Sequence, residues 1–264
     1  MWRATRLEGR TLTIPPMKFL DLSFDSPSHN LACDEALLDW CEEEGGEVLR
    51  FWESARPFVA LGYTDQAQSE CDVEECRAQD VPILRRCSGG GTVLQGPGCF
   101  NYALVLRIEP DGPTENLSLT NGWIMERHRD AARALMAPHM STHAAANDSI
   151  EARGITDLAW NDVKFSGNAQ RRKRRTLLFH GTFLLDFDLN SISTLLKMPS
   201  KQPDYRQARS HGDFICNIPL HRDAIRHQLK GLWNAHEPLH QLPQERIENL
   251  AHGKYRDDAW NFKF

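Results

Sequence analysis

Three short stretches of this chain carry residues whose types and spacing suit chemistry. In the first, Lys164 is followed by Gly167 within Asn-Asp-Val-Lys-Phe-Ser-Gly-Asn-Ala-Gln. A compact ammonium in such a place suits an anionic reacting centre. In the second, Arg85-Arg86-Cys87-Ser88 runs into Gly89-Gly90-Gly91. Fork-shaped arginines match phosphate or carboxylate, and bare glycine backbone lets a ligand lie where a Cβ would collide. In the third, His180-Gly181-Thr182 interrupts an apolar run, and a glycine inside a strand marks close approach of a ligand or of another backbone. Each stretch has a plain alternative: an edge-strand lysine, a glycine turn beside surface charge, a core histidine with its hydrogen bonds met.

The elements that must position these residues follow from periodicity and breakers. Residues 1–16 read as a lead-in and 17–24 as a strand. Ser28-His29-Asn30 caps a helix that runs to about Glu44 and ends at Gly45-Gly46. Strands are expected at 48–52 and 58–62, a helix at 69–79, and a strand at 81–86 that delivers the glycines. The glycine triplet leads into another apolar stretch, Thr92-Val93-Leu94, so it is neither a Walker A loop nor a dinucleotide fingerprint. Further strands follow at 100–108 and 176–187, with a long helix over 117–136 and a hairpin turning at Asn161-Asp162. A short helix is expected at 190–197 and two terminal helices at 221–234 and 243–252. Arg171-Arg172-Lys173-Arg174-Arg175 reads as a solvated hairpin tip or as a mobile loop that closes over a phosphate. His139 and His143 share i, i+4 spacing but lack a third ligand, so no metal site is assigned there. Hairpins with interspersed helices imply an α+β fold: a mixed, mostly antiparallel sheet with flanking helices, forming a single domain over 17–264.

Composition narrows the class. With 264 residues, 41% hydrophobic and 25% charged, the chain is ordinary globular protein, and a formal charge of −5 gives no general pull toward nucleic acid. No apolar run approaches the ~20 residues of a membrane helix, and the first ten residues have no apolar core of a secretory signal. Seven cysteines at irregular spacing, with no Cys-x-x-Cys, read as reduced thiols in a cytoplasmic protein.

Taken in order, these stretches resemble the lipoate–protein ligase A family, within the biotin/lipoate ligase and octanoyltransferase superfamily. The resemblance spans about residues 17–210. It rests on Asn30 to Leu38 as a first helix, Arg85 to Val93 as the Arg-Arg-x-Ser/Thr-Gly-Gly-Gly signature, and Gly154-Ile155-Thr156-Asp157-Leu158. Lys164-Phe165-Ser166-Gly167-Asn168-Ala169 and His180-Gly181-Thr182 complete the set.

The resemblance implies a fold like the catalytic core of class II aminoacyl-tRNA synthetases and biotin protein ligases. It implies ATP, Mg²⁺ and lipoate (or octanoate) as ligands, with activation to an acyl-adenylate. The acyl group would then pass to a lysine of a lipoyl domain, on an E2 subunit of a 2-oxoacid dehydrogenase or on the glycine-cleavage H protein. Lys164 would be the catalytic residue. Arg86 and the backbone of Gly91, Thr92, Val93 and Leu94 would contact phosphate, while Gly89, Gly90 and Gly91 would admit the acyl tail and adenylate. Asn101, Asp157 and His180 would shape the pocket, with Ser88, Gly167, Ala169, Gly181 and Thr182 as further lining. Asp157 is the single protein candidate near Mg²⁺.

Two departures keep alternatives open. Gln95-Gly96-Pro97-Gly98-Cys99 stands where many ligases carry His-Asp-x-Gly-Asn, and Lys254-Tyr255 with Trp260-Asn261 resembles the end of the large domain, so a separate accessory subunit is a candidate partner. An octanoyltransferase of the same fold is the nearest rival. Those enzymes carry the acyl group on a cysteine shortly before the Lys-x-x-Gly element or soon after the His-Gly strand. This chain has no cysteine between Cys99 and Cys216. A non-catalytic module that binds an acyl-adenylate is the rival from another class.

Overall fold

Near-continuous apolar runs build a sheet whose central strands are buried on both faces. The structure is a computed structural model and describes residues 14–140 and 148–264. Most of the expected lead-in, and His143, lie outside the described residues. In chain order the elements are β1 (Met17–Asp21), α1 (Pro27–Glu44), β2 (Val48–Trp52), β3 (Phe58–Leu61), α2 (Ala67–Glu70), α3 (Val73–Ala78), β4 (Ile83–Arg85), β5 (Val93–Gln95), β6 (Cys99–Arg107), α4 (Leu117–Met136), β7 (Ile150–Arg153), β8 (Asp157–Trp160), β9 (Val163–Arg172), β10 (Thr176–Leu184), α5 (Leu189–Leu195), α6 (His211–Phe214), α7 (Arg222–Leu232), β11 (Ala235–Pro238), α8 (Gln244–Leu250) and α9 (Asp258–Asn261).

An eight-stranded sheet has the order β11-β1-β2-β6-β10-β9-β8-β7. It is parallel at β11-β1-β2 and antiparallel across the rest. Helices cover both faces. One face packs Phe51, Tyr102, Leu104 and Phe179 against Ile124 and Met125 of α4 and Ile225 and Leu229 of α7. The other packs Val48, Ala103, Val105 and Leu178 against Leu31, Ala36 and Leu37 of α1. This is the mixed α+β architecture expected from the sequence.

Several boundaries differ, each for a local reason. Ser26, not Ser28, is the N-cap of α1, because Pro27 fits the first helical turn, where its missing N–H costs nothing. The helix expected over 69–79 is two short ones: Cys71 takes extended dihedrals and Asp72 caps the second by accepting from the Glu75 N–H. The strands β4, β3 and β5 form a sheet of their own rather than continuing the large one. The expected helix over 243–252 is α8, which runs on into a π turn over Ala251–Tyr255. The β8–β9 hairpin turns at Asn161-Asp162, both with positive φ, as a two-residue hairpin loop demands. Among the described residues no helix is long and apolar enough to cross a membrane.

Candidate functional site

The small sheet presents the glycine loop to the α1 face of the large one. Arg85 and Arg86, adjacent in the chain, do different work there. The fully buried Arg85 guanidinium donates to the carbonyls of Gly62 (2.8 Å), Asp65 (2.7 Å) and Asn261 (2.8 Å). Its own backbone is held by Asn261 Oδ1 and Trp260 Nε1, so the C-terminal segment braces the strand. Arg86 donates to Ala60 O (2.9 Å), Gly89 O (2.6 Å), Gly91 O (2.8 Å) and Ser88 Oγ (3.1 Å). Burial lowers its pKa to about 10, still a cation at neutral pH. The sequence expectation aimed Arg86 at a phosphate; here its donors close the loop on itself. A Cβ built on Gly89 or Gly91 meets nothing within 4 Å, so bare backbone borders open space.

Register places the site residues in two rows on this face, since paired residues project to the same side. One row is Arg50, Ala103, His180 and Ala169. The next is Trp52, Asn101, Thr182, Gly167 and Asp157. The second row is a polar ladder: Gln95 Nε2 donates to Thr182 Oγ1 (2.7 Å), which donates to Asn101 Oδ1 (2.5 Å). At its end Lys164 Nζ lies 2.7 Å from Asp157 Oδ1, and Tyr205 Oη donates to Asp157 Oδ2 (2.9 Å). Burial and the Asp157 charge push the Tyr205 hydroxyl up, so it remains a donor. Gly167 must be glycine for the lysine to lie there, because a Cβ would come 2.8 Å from Lys164 Cε and Nζ.

The first row continues into α1. Ser88 Oγ lies 2.6 Å from His180 Nε2, and His180 Nδ1 lies 3.2 Å from Asp34 Oδ2. Arg50 Nη1 holds Asp34 Oδ1 at 2.5 Å, with both side chains buried. Asp34 and Arg50 were missed as site residues in the sequence. A lone arginine in the otherwise apolar strand Val48–Trp52 was the available signal, since a buried guanidinium needs a partner.

Gly181 is corrected. It pairs with Tyr102 and Asn168 and so faces the opposite side of the sheet. A Cβ there would lie 1.6 Å from Asn168 Oδ1. The close neighbour is a side chain of the protein itself, which accepts from Tyr102 Oη (2.6 Å) and donates to Thr156 O (2.7 Å). Thr92 and Leu94 also serve the frame: Thr92 Oγ1 donates to Asp65 Oδ2 (2.9 Å), and Leu94 is buried in the core of the small sheet. Val93 packs against the α1 cluster.

Of the two readings of the basic run, the hairpin tip holds and the mobile loop does not. The run is the end of β9 and a hairpin tip rather than a loop free to close. Arg172 donates to Thr114 O and Glu115 O, Lys173 pairs with Asp39, and Arg175 with Glu42.

These contacts bear on ATP and Mg²⁺. Asp157 is bonded to Lys164 and Tyr205, and Arg86 to three carbonyls and the Ser88 hydroxyl. In the Gln95 to Cys99 turn, Gly98 N donates to Glu53 Oε1 (2.7 Å), and a Gly98 Cβ would meet the Asp186 backbone. Arg86 thus braces its own loop, and no step is derived through ATP or Mg²⁺. Thiol chemistry is unprepared. All seven cysteines are free, six are buried, and burial pushes every thiol up, Cys87 to about 12 and Cys216 to about 11.

The lipoyl protein ligase A/B catalytic domain matches residues 26–228, and the chain belongs to that family. Octanoyltransferase LipM of Halalkalibacterium halodurans is 27% identical over 272 residues, covering 93% of this chain and 98% of that one. Octanoyltransferase LipM of Carboxydothermus hydrogenoformans is 29% identical over 266 residues, covering 94% and 98%. Among solved structures, a bi-partite lipoate protein ligase of Thermoplasma acidophilum superposes with a TM-score of 0.76 at 19% identity, covering 94% of this chain and 96% of that one. A lipoate-protein ligase A bound with ATP gives 0.71 at 21%, covering 94% and 98%. The structural likenesses establish the fold. With the family, they make this chain an enzyme of the acyltransferase and ligase kind.

Proposed function

We propose that the chain is an octanoyltransferase that moves a medium-chain acyl group from a carrier-protein thioester to a lysine amine of a lipoyl-domain protein. The observation that carries this reading is the near full-length match to octanoyltransferases, spanning 98% of their chains. The turn of Arg86 onto its own loop supports it, because a thioester donor asks for no arginine on a triphosphate. Attack on a thioester carbonyl builds negative charge on its oxygen. Lys164, held by Asp157 over Gly167, is the cation to meet that charge, and such a group is worth about 10²–10³ in rate. Gly89 to Gly91, Ala169 and His180 would line the acyl arm. Free thiols and carrier-bound substrates suit a cytoplasmic setting.

One observation favours the ATP-dependent lipoate ligase as a second reading. No cysteine lies between Cys99 and Cys216, so neither of the thiol positions known in this fold is filled. An adenylate passes directly to the acceptor amine and needs no side-chain nucleophile.

Intact mass of a purified apo lipoyl domain decides between them. One reaction contains octanoyl carrier protein without ATP; the other contains lipoate with ATP and Mg²⁺; Lys164→Ala is the control in both. Modification in the first alone supports the transferase. Modification that needs ATP supports the ligase and removes the transferase reading. No modification in either, with adenylate retained on the protein, is the result of a binding module.

A further inference from the structure

The octanoyltransferase reading leaves a chemical gap, since neither thiol position known in this fold is filled and desolvation keeps the cysteines present in their thiol form. We propose that Ser88 is the acyl-carrying nucleophile, with His180 as its base and Asp34 as the group that orients the base. The inference rests on that reading.

The hydrogen bonds define the arrangement that acyl transfer needs. The Asp34 carboxylate, clamped by Arg50, can only accept, so His180 Nδ1 donates to it across 3.2 Å. The tautomer with its proton on Nδ1 presents Nε2 to the Ser88 hydroxyl across 2.6 Å. Arg86 Nε donates to Ser88 Oγ from the other side at 3.1 Å, which favours negative charge on that oxygen. Nucleophile, base and orienting carboxylate thus stand in line, as acyl transfer requires. They come from three separate elements: the glycine loop, β10 and α1.

Ser88 itself is fully buried, and the exposed part of the loop is the glycine backbone that follows it. Ser88 opens the glycine triplet, and Gly89 and Gly91 border open space where an acyl arm can lie on bare backbone. A Cβ on Gly90 would come within 3.6 Å of Ala169 Cβ, so the loop sits over β9. Lys164 lies over Gly167, two residues along the same strand, about 7 Å away.

The chemistry balances. Ser88 Oγ attacks the thioester carbonyl while His180 Nε2 takes its proton. The C–S bond breaks, the proton goes to the departing thiolate, and an octanoyl ester stays on Ser88. The acceptor lysine amine then attacks the ester. The C–O bond breaks, the proton returns through His180 to Oγ, and an amide forms. A thioester is consumed and no other reactant is needed.

The test uses the full chain with octanoyl carrier protein and no acceptor, quenched in acid and read by intact mass and peptide mapping. One octanoyl group on the Ser88 peptide is expected. It should resist neutral hydroxylamine, as an ester does and a thioester does not, and should leave on addition of apo lipoyl domain. Ser88→Ala should carry no adduct and lose about 1000-fold in transfer. Ser88→Cys should carry a hydroxylamine-sensitive adduct and regain transfer, a rescue that a structural serine would not give. A folded Ser88→Ala protein with near wild-type transfer, or an adduct on Lys164 or a cysteine, overturns the serine proposal and leaves the transferase reading standing. Wild-type protein that moves no octanoyl group from the carrier overturns both.

Discussion

Gly181→Ala should cost stability and leave chemistry alone, although the residue sits inside the His-Gly-Thr motif. The built Cβ lies 1.6 Å from Asn168 Oδ1 and 2.5 Å from its Cγ, so the Asn168 amide must leave its place. Two hydrogen bonds go with it, from Tyr102 Oη at 2.6 Å and to Thr156 O at 2.7 Å. At about 1 kcal/mol net each, that is about 2 kcal/mol. The Tyr102 hydroxyl, on a fully buried residue, is left without that partner, which adds about 1–2 kcal/mol. The expected loss is about 3–4 kcal/mol, read as a lower urea midpoint at unchanged m. The reasoning also predicts non-additivity. On an Asn168→Ala background the amide is already gone, so Gly181→Ala should then cost under about 1 kcal/mol. Acyl transfer per folded molecule should stay within about threefold of wild type. A single variant as stable as wild type but with a raised KM for the acyl donor would show that Gly181 faces ligand, and the assignment of the two sheet faces would fail.

Other expectations follow from the same geometry. Lys164→Ala should lower transfer by about 10²–10³ while lowering the unfolding free energy from urea melts by less than about 1 kcal/mol, since its ion pair is a quarter exposed on the lysine side. Gly167→Ala should do the same through displacement of the ammonium, and Lys164→Ala/Gly167→Ala should then be no slower than Lys164→Ala; an additive loss would refute that route. Arg50→Leu strands the buried Asp34 carboxylate and should cost about 3–5 kcal/mol by denaturant melt. His128 carries a pH signature: burial holds its pKa down to about 3, and its Nε2 accepts from Trp233 Nε1 at 2.9 Å. The unfolded chain binds that proton below about pH 6.5 and the folded one does not, so stability is fully present above 6.5 and falls as pH drops toward 3. The slope is about 1.4 kcal/mol per pH unit for one proton, and His128→Gln should flatten it in melts between pH 6.5 and 4.5.

What the sequence made legible was local. α4 runs from Leu117 to Met136 as its spacing implies, with Asn116 accepting from the Leu119 N–H as a cap. Asn161-Asp162 turns a hairpin because those side chains tolerate positive φ. The order of Arg-Arg-x-Ser-Gly-Gly-Gly, Lys-x-x-Gly and His-Gly-Thr pointed to the right family because it is a list along the chain. The relay from Arg50 through Asp34 and His180 to Ser88 is not such a list. Its members are joined only when α1, β2, β10 and the glycine loop pack together. The second sheet was hidden for a related reason. Phe58–Leu61, Ile83–Arg85 and Val93–Gln95 look like any short apolar strands, and nothing local says which neighbours they choose.

The charges around the site explain how one signature can serve two kinds of acyl donor. Asp34 and Arg50 neutralise each other beneath His180, and Asp157 offsets Lys164 only in part because Tyr205 shares the carboxylate. Arg86 has carbonyl dipoles for partners and no carboxylate in contact, so it leaves a positive field under the glycine loop. Arg85 fixes the strand from behind through the C-terminal segment, so that field does not have to reorganise when charge develops above it. A preset positive field favours any reaction that builds negative charge on an acyl carbonyl, whether the leaving group is a thiolate or a phosphate. The electrostatics therefore do not separate transferase from ligase. The separation lies in whether the protein offers an oxygen or sulfur able to carry the acyl group, and Ser88, with His180 2.6 Å from its hydroxyl, is where that question falls.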